Sequence, residues 1–350
     1  MTLIETTLHE IRPIDPHRIE AAKQRQLELT KPPGSLGRLE EIANRCAAIR
    51  ESFSLTARRP RIVLFAADHG VCAEGVSAYP QEVTGQMVLN FLRGGAAINA
   101  FARSGGIELR VVDVGVATPL PETGELISRR VAQGTRNFCT GPAMTKTEIT
   151  AALEIGIELA DDAAAQGCDL LGFGEMGIGN TTSASAITAA LTGQDPEAVV
   201  GIGAAADDAC MVRKRSAIRR AVTLHAESLG DPLGILRCVG GLEIAAMCGF
   251  CLGAAARRIP VVTDGFIATA AAALAVRICP ASSGYLFASH RSAEPGHAAL
   301  LELIGHEPLL DLGMRLGEGT GVALAISLIR AAIAAFTEMA TFRSAGVSNK

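Results

Sequence analysis

A chain of 350 residues that is 49% hydrophobic but only 4% aromatic builds its core from Ala, Val, Leu and Ile, and its length suits one large α/β unit with a smaller appendage. The 32 basic and 36 acidic residues leave a net charge of −4 without a long basic run, which argues against nucleic acid as a partner. Nine cysteines, an odd number without framework spacing, exclude a disulfide scaffold and point to reduced thiols in the cytoplasm.

The N-terminal MTLIETTLHEIRPIDPHR lacks the basic flank and unbroken apolar stretch of a signal peptide, so mature protein is expected from the start. Residues 1–55 read as helical and charged. From Arg61 onward short β-rich runs alternate with longer Ala-rich segments: RIVLFAAD, IELRVVDVGV, CDLLGFG, VVGIGA, PVVTDG and YLFASH. Such alternation predicts βαβ units and a mostly parallel sheet buried on both faces. Helices are expected over Gln81–Arg103, Lys146–Gln166, Thr181–Leu191, Asp207–Ser228, Leu242–Arg257, Phe266–Ile278 and Thr320–Phe336. The apolar stretches Ile244–Ala256 and Gly321–Ile329 meet Arg257 and Arg330 before the ~20 residues that span a bilayer, so no membrane span is expected. The two ends, residues 1–55 with 320–350, are expected to form a small helical domain beside a large α/β domain of residues 56–319.

In this architecture the loops after strand ends carry the chemistry. Asp68 and His69 end the first strand in AADHG, where a surface histidine would read the same. Asp169–Ser185, DLLGFGEMGIGNTTSAS, runs a buried strand into a loop with Gly172, Gly174, Gly177 and Gly179 before a helix opens near Thr181. Glycine backbone and the hydroxyls of Thr181, Thr182 and Ser183 at a helix N-terminus suit a phosphate monoester, although a tight turn with an ordinary cap has the same residues. Gly172, Gly174 and Gly177 also spell G-x-G-x-x-G, so an NAD-dependent oxidoreductase is weighed. Against it, no acid closes the next strand, and Glu175 inside the loop would repel a pyrophosphate while suiting a cationic sugar. Asp264 ends another strand in VVTDGF and can equally be a helix cap. Glu318 stands between Gly317 and Gly319 before an apolar helix, placed to approach a ligand or simply to complement the helix dipole. Cys248 and Cys251 lack a second pair, and His290 and His297 match no common zinc spacing, so neither metal nor cofactor is expected.

Several blocks together are far more specific than any one motif: KPPGSLGRLE at Lys31–Glu40, AADHGV at Ala66–Val71, EGVSAYPQEVT at Glu74–Thr84, GFGEMGIGNTTSAS at Gly172–Ser185, GGLEIAAM at Gly240–Met247, DGFI at Asp264–Ile267, HRSAEPGH at His290–His297 and LGMRLGEGTG at Leu312–Gly321. In them the chain resembles the nicotinate-nucleotide–dimethylbenzimidazole phosphoribosyltransferases, which make the lower-ligand nucleotide of cobalamin. The resemblance implies a Rossmann-like large domain, a small helical domain from both chain ends, and a homodimer. It also implies that Glu318 is the general base and Glu175 the acid beneath the ribose. Gly174, Gly177, Gly179, Asn180, Thr181, Thr182, Ser183, Lys214, Asp264 and Ser292 are then expected around the nucleotide and its phosphate. Tyr79, Pro80, Met87, Met176 and Leu316 are expected to pack the flat benzimidazole.

The implied substrates, nicotinate mononucleotide and dimethylbenzimidazole, agree with the residue types. Nicotinate leaves C1′ as a neutral ring nitrogen because the bond already carries pyridinium charge, so neither a metal nor a leaving-group acid is required. The incoming base attacks with one nitrogen and loses a proton from the other, which asks for one carboxylate near neutral pH. A non-catalytic nucleotide-binding module would keep the phosphate loop and dispense with Glu318.

Overall fold

The computed structural model describes residues 1–201, 203 and 207–348. In chain order the elements are α1 (Leu3–Glu10), α2 (Pro16–Glu28), α3 (Arg38–Arg50), β1 (Pro60–Ala67), α4 (Glu82–Leu92), α5 (Ala97–Gly105), β2 (Glu108–Gly115), β3 (Leu126–Ser128), α6 (Lys146–Ala165), β4 (Leu170–Met176) and α7 (Asn180–Thr192). There follow α8 (Pro196–Val199), α9 (Asp208–Leu224), α10 (Pro232–Val239), α11 (Leu242–Ala256), β5 (Val261–Thr263), α12 (Phe266–Ile278), β6 (Leu286–Ala288), α13 (Gly296–Ile304), α14 (Thr320–Glu338) and α15 (Phe342–Ala345).

The six strands form one parallel sheet in the order β3-β2-β1-β4-β5-β6. Every residue of β1 is buried, as expected of a strand covered on both faces. On β4, Phe173 packs edge-on to Phe250 of α11, whereas a Cβ at Gly172 or Gly174 would run into α14 or the turn leading to it. Alternate residues of a strand face opposite ways, so α11 and α14 cover opposite faces of the sheet. α6 lies along α11, and α3 and α5 lie against α14. The order reverses at β1 and β4, and the C-terminal ends of these two strands frame a crevice of the kind that binds ligands in open α/β sheets.

Several elements depart from the sequence reading. VVGIGA does not give a strand in its described residues: Asp195 caps a short helix that begins at Pro196 and ends at Val199. Its Ile202 and Ala204 lie outside the described residues. The helix expected over Gln81–Arg103 divides into α4 and α5 at Gly94 and Gly95, where Gly94 takes a φ of 74°. The short edge strand β3 and the helices α10 and α13 had not been expected. α14 continues through Arg330 to Glu338, giving a 19-residue helix long and apolar enough to cross a bilayer. Of its most apolar 18-residue stretch 56% is buried inside the fold, and Arg330 Nε donates to Ala57 O, so it behaves as a core helix. The chain ends meet where Thr30 N donates to Ala340 O.

Candidate active site

β4 runs into a bend at Gly177–Gly179 that opens α7, and Gly179 adopts a φ of 96° as its N-cap. Asn180, Thr182 and Ser183 N–H groups are taken by the carbonyls of Gly177 and Gly179, and Ile178 N donates to Thr84 Oγ1. Thr181 is the hydroxyl that faces the crevice. Behind it, Lys214 Nζ donates to Thr181 Oγ1 at 2.9 Å and to Gly201 O at 3.2 Å. A hydroxyl that accepts from an ammonium keeps its own proton for a partner in front, so Thr181 presents a donor at the helix N-terminus. Burial brings the Lys214 ammonium down to about 8.

Across the crevice Gly317, Glu318 and Gly319 have φ values of 85°, 62° and 81°, three consecutive left-handed residues. For glutamate this conformation is strained and must be held by its surroundings. Two contacts hold it. A Cβ at Gly174 would collide with Gly319 N and Glu318 C, so only glycine lets this turn settle onto β4. α14 begins at a glycine with no capping side chain, and Asp264 supplies the cap from the end of β5, accepting from Gly319 N at 2.9 Å, Gly321 N at 2.8 Å and Val322 N at 3.3 Å. His290 Nδ1 lies 3.8 Å from the same Asp264 carboxylate.

Glu318 is thereby fixed with Oε2 buried and without a hydrogen-bond partner. Burial and the neighbouring Asp264 push its carboxyl up to about 7. Glu175, at the end of β4, accepts from Asn180 Nδ2 and is 6% exposed. Burial, then Asp264 and Glu243, raise it to about 8. Two carboxyl groups with raised values thus face one cleft of about 290 Å³.

The cleft gathers Tyr79, Glu175, Met176, Gly177, Gly179, Asn180, Thr181, Ser292, Leu316 and Glu318 from among the expected site residues. Tyr79 and Leu316 stand exposed at its mouth, as expected of a platform awaiting a flat ring. Ser292 is placed by His297, whose Nδ1 accepts from Ser292 N while Nε2 bonds Thr269 Oγ1. The rest do not line it. Gly174 and Asp264 act on the Glu318 turn, and Lys214 stands behind Thr181. Ser183 Oγ donates to Val239 O, Thr182 is fully buried, Pro80 is exposed beside Tyr79, and Met87 packs on the core from α4.

The G-x-G-x-x-G spacing is explained differently from a dinucleotide fingerprint. Gly172 and Gly174 lie within the strand and make room for Val322 and for the Glu318 turn, and only Gly177 belongs to the strand-to-helix bend. The sequence reading passed over Phe266, Ile267, Glu294 and Arg315, which also line the cleft. It also passed over Glu243, which sits fully buried with His69 behind the bend. The signal for Glu243 was present as one acid in an otherwise apolar helix, LEIAAMCGFCLGAAA. Among the described residues no group of three or more His, Cys, Asp or Glu side chains is arranged so that it could hold a metal ion.

A family model described as phosphoribosyltransferase matches residues 11–347. A protein of Chloroflexus aggregans named nicotinate-nucleotide–dimethylbenzimidazole phosphoribosyltransferase is 53% identical over 352 residues, covering 100% of this chain and 99% of its own. One of the same name from Geobacter metallireducens is 52% identical over 347 residues, covering 99% and 98%. The crystal structure of the Thermus thermophilus protein of that name superposes with a TM-score of 0.90 at 50% identity, covering 96% of this chain and 100% of that one. Similarity at this level along the whole chain, in sequence and in fold alike, makes this protein a member of the nicotinate-nucleotide–dimethylbenzimidazole phosphoribosyltransferase family.

Proposed function

We propose that the chain transfers the 5-phosphoribosyl group of nicotinate mononucleotide to 5,6-dimethylbenzimidazole with inversion at C1′. The products are α-ribazole 5′-phosphate, nicotinate and a proton, and the reaction serves assembly of the cobalamin nucleotide loop. The observation that carries the reading is Glu318, a strained, buried carboxylate with an unpartnered oxygen and a value near 7, facing Glu175 across one cleft. Such strain and desolvation around a single acid fit a general base better than a helix-start charge.

In this reading the phosphate rests at the start of α7 on Thr181, backed by Lys214, and Ser292 steadies the nucleotide from the other wall. Glu175 lies beneath the ribose and offsets positive charge as the C1′–nitrogen bond breaks. The benzimidazole stacks among Tyr79, Met176 and Leu316 and attacks C1′ through one nitrogen. Glu318 takes the proton from the other nitrogen, leaving a neutral azole on an α-linked ribose. Asp264 is a positioning residue that keeps the Glu318 turn on the sheet. We also read the protein as a cytoplasmic homodimer; the dimer rests on the family alone, and nine free cysteines fit a reducing compartment. Sedimentation of the purified chain tests the dimer.

The reaction itself is tested by offering nicotinate mononucleotide with a mixture of benzimidazoles, purines and phenols, and identifying products by mass spectrometry and the anomeric NMR coupling. An α-linked benzimidazole nucleotide is expected. Hydride transfer with a nicotinamide cofactor, or binding without turnover, would overturn the reading.

A further inference from the structure

We propose that Arg315 is a second phosphate-binding residue: from the loop before α14 its guanidinium closes over the phosphate at Thr181 and grips the oxygens turned away from α7. The inference rests on the reading that seats the phosphate at Thr181, and it adds the partner that meets the anion from the opposite wall.

Among the described residues that line the cleft, Arg315 is the one with a permanent positive charge. The hydrogen bond it makes there, from Nη1 to Gly203 O, is long at 3.4 Å. The remaining donors of the guanidinium fork are left for a ligand. Three acids share the cleft, and each is turned elsewhere: Glu175 accepts from Asn180, Glu294 accepts from Gly203 N at 2.9 Å, and Glu318 Oε2 has no partner. None of them answers the charge of Arg315.

Gly203 fixes which end of the cleft the guanidinium serves. A Cβ on Gly203 would lie 2.6 Å from Thr181 Oγ1 and 3.0 Å from Lys214 Nζ, so the peptide that Arg315 touches abuts both the hydroxyl and the ammonium assigned to the phosphate. Three charged side chains from three separate elements meet on this short segment: Lys214 of α9 donates to Gly201 O, Arg315 donates to Gly203 O, and Glu294, from the loop before α13, accepts from Gly203 N. The other oxygen of Glu294 lies against Gly201, where a Cβ would strike it. Two cations and one carboxylate leave this wall with one positive charge in excess, beside the N-terminus of α7. The 5′-phosphate is the substrate group that brings negative charge there, since C1′ and the departing ring belong beside Glu175 and Glu318 at the other end of the ribose. A planar guanidinium can meet two phosphate oxygens at once, and its long bond to Gly203 O is weak enough to be exchanged for them.

The test is binding by calorimetry without an acceptor base, so that it stands apart from turnover. Arg315 is exposed and its variants should fold, which melting curves would check. Arg315→Met should weaken nicotinate mononucleotide and nicotinamide mononucleotide equally, by about 10–100-fold, the usual loss for a hydrogen bond between charged groups. Nicotinate riboside, which lacks the phosphate, should bind the variant and the wild type alike. Arg315→Lys, which keeps the charge and loses the fork, should recover part of the affinity. Where the riboside binds too weakly to measure, the two mononucleotides decide: a loss confined to nicotinate mononucleotide would make the guanidinium a reader of the ring carboxylate and overturn the proposal. Unchanged affinity in folded Arg315→Met, or an equal loss for the riboside, would do the same while leaving the proposed function standing. A wild-type chain that binds neither mononucleotide would instead remove the proposed function and the phosphate site with it.

Discussion

Glu318 brings together backbone strain, burial and an unsatisfied oxygen, three costs that a folded protein keeps at a residue only when something else is gained. Glu318→Gln should lower turnover by about 10²–10⁴-fold, the usual loss for one general base, while nicotinate mononucleotide still binds. The same substitution should separate stability from activity. The folded Glu318 carboxyl sits at about 7 against 4.5 in an unfolded chain. Between those values the native state keeps a proton that the unfolded state has released, so stability from this group falls as pH rises through that window and the full cost is present above about 7. Gln carries no such charge. The variant should therefore melt above wild type at pH 8, with the difference closing towards pH 5, as differential scanning calorimetry would read. A variant less stable than wild type at both values would contradict the origin assigned to the shift.

At the scale of elements, the site depends on how closely β4 and the start of α14 approach. Gly174→Ala places a methyl group against the backbone of Glu318 and Gly319, and the turn must lift. Overpacking of this kind costs about 1–3 kcal/mol, but a displacement of about 1 Å at a catalytic group costs on the order of 10²-fold in rate. Activity in Gly174→Ala should fall far more than its melting temperature implies, and a crystal structure should show Glu318 displaced. The opposite wall has its own pH signature. Lys214 is charged below about 8 and loses its proton above that value, and the charged form is the one that turns the Thr181 hydroxyl towards an anion. Affinity for nicotinate mononucleotide, measured by calorimetry, should be full below about pH 8 and decline above it. Lys214→Met should remove that decline and bind weakly throughout.

For the molecule as a whole, the cleft lies where the strand order reverses, and residues from several separate loops converge there. Because the departing pyridinium already supplies the driving charge, turnover should survive exhaustive chelation, and a rate restored only by one divalent ion would contradict this mechanism.

The sequence by itself determined the sheet. RIVLFAAD, IELRVVDVGV and CDLLGFG are apolar runs, which is what a strand covered on both faces must be, and they became β1, β2 and β4. VVGIGA misled for the same reason, since a short apolar run next to Asp195 and Pro196 serves equally well as the end of a capped helix. The sequence also marked Glu175, Thr181 and Glu318, because an acid or a cap among glycines stands out locally. Only the tertiary structure decided what the neighbouring glycines are for. Gly172 and Gly174 resemble a phosphate cradle in sequence, but their missing side chains leave room for α14 and the Glu318 turn, more than 140 residues further along. Asp264 likewise caps a helix that starts 56 residues after it, and His69 finds Glu243 174 residues away. Local pattern reports which face of an element is buried, whereas charge compensation and close backbone approach arise between elements and exist only once the chain has folded.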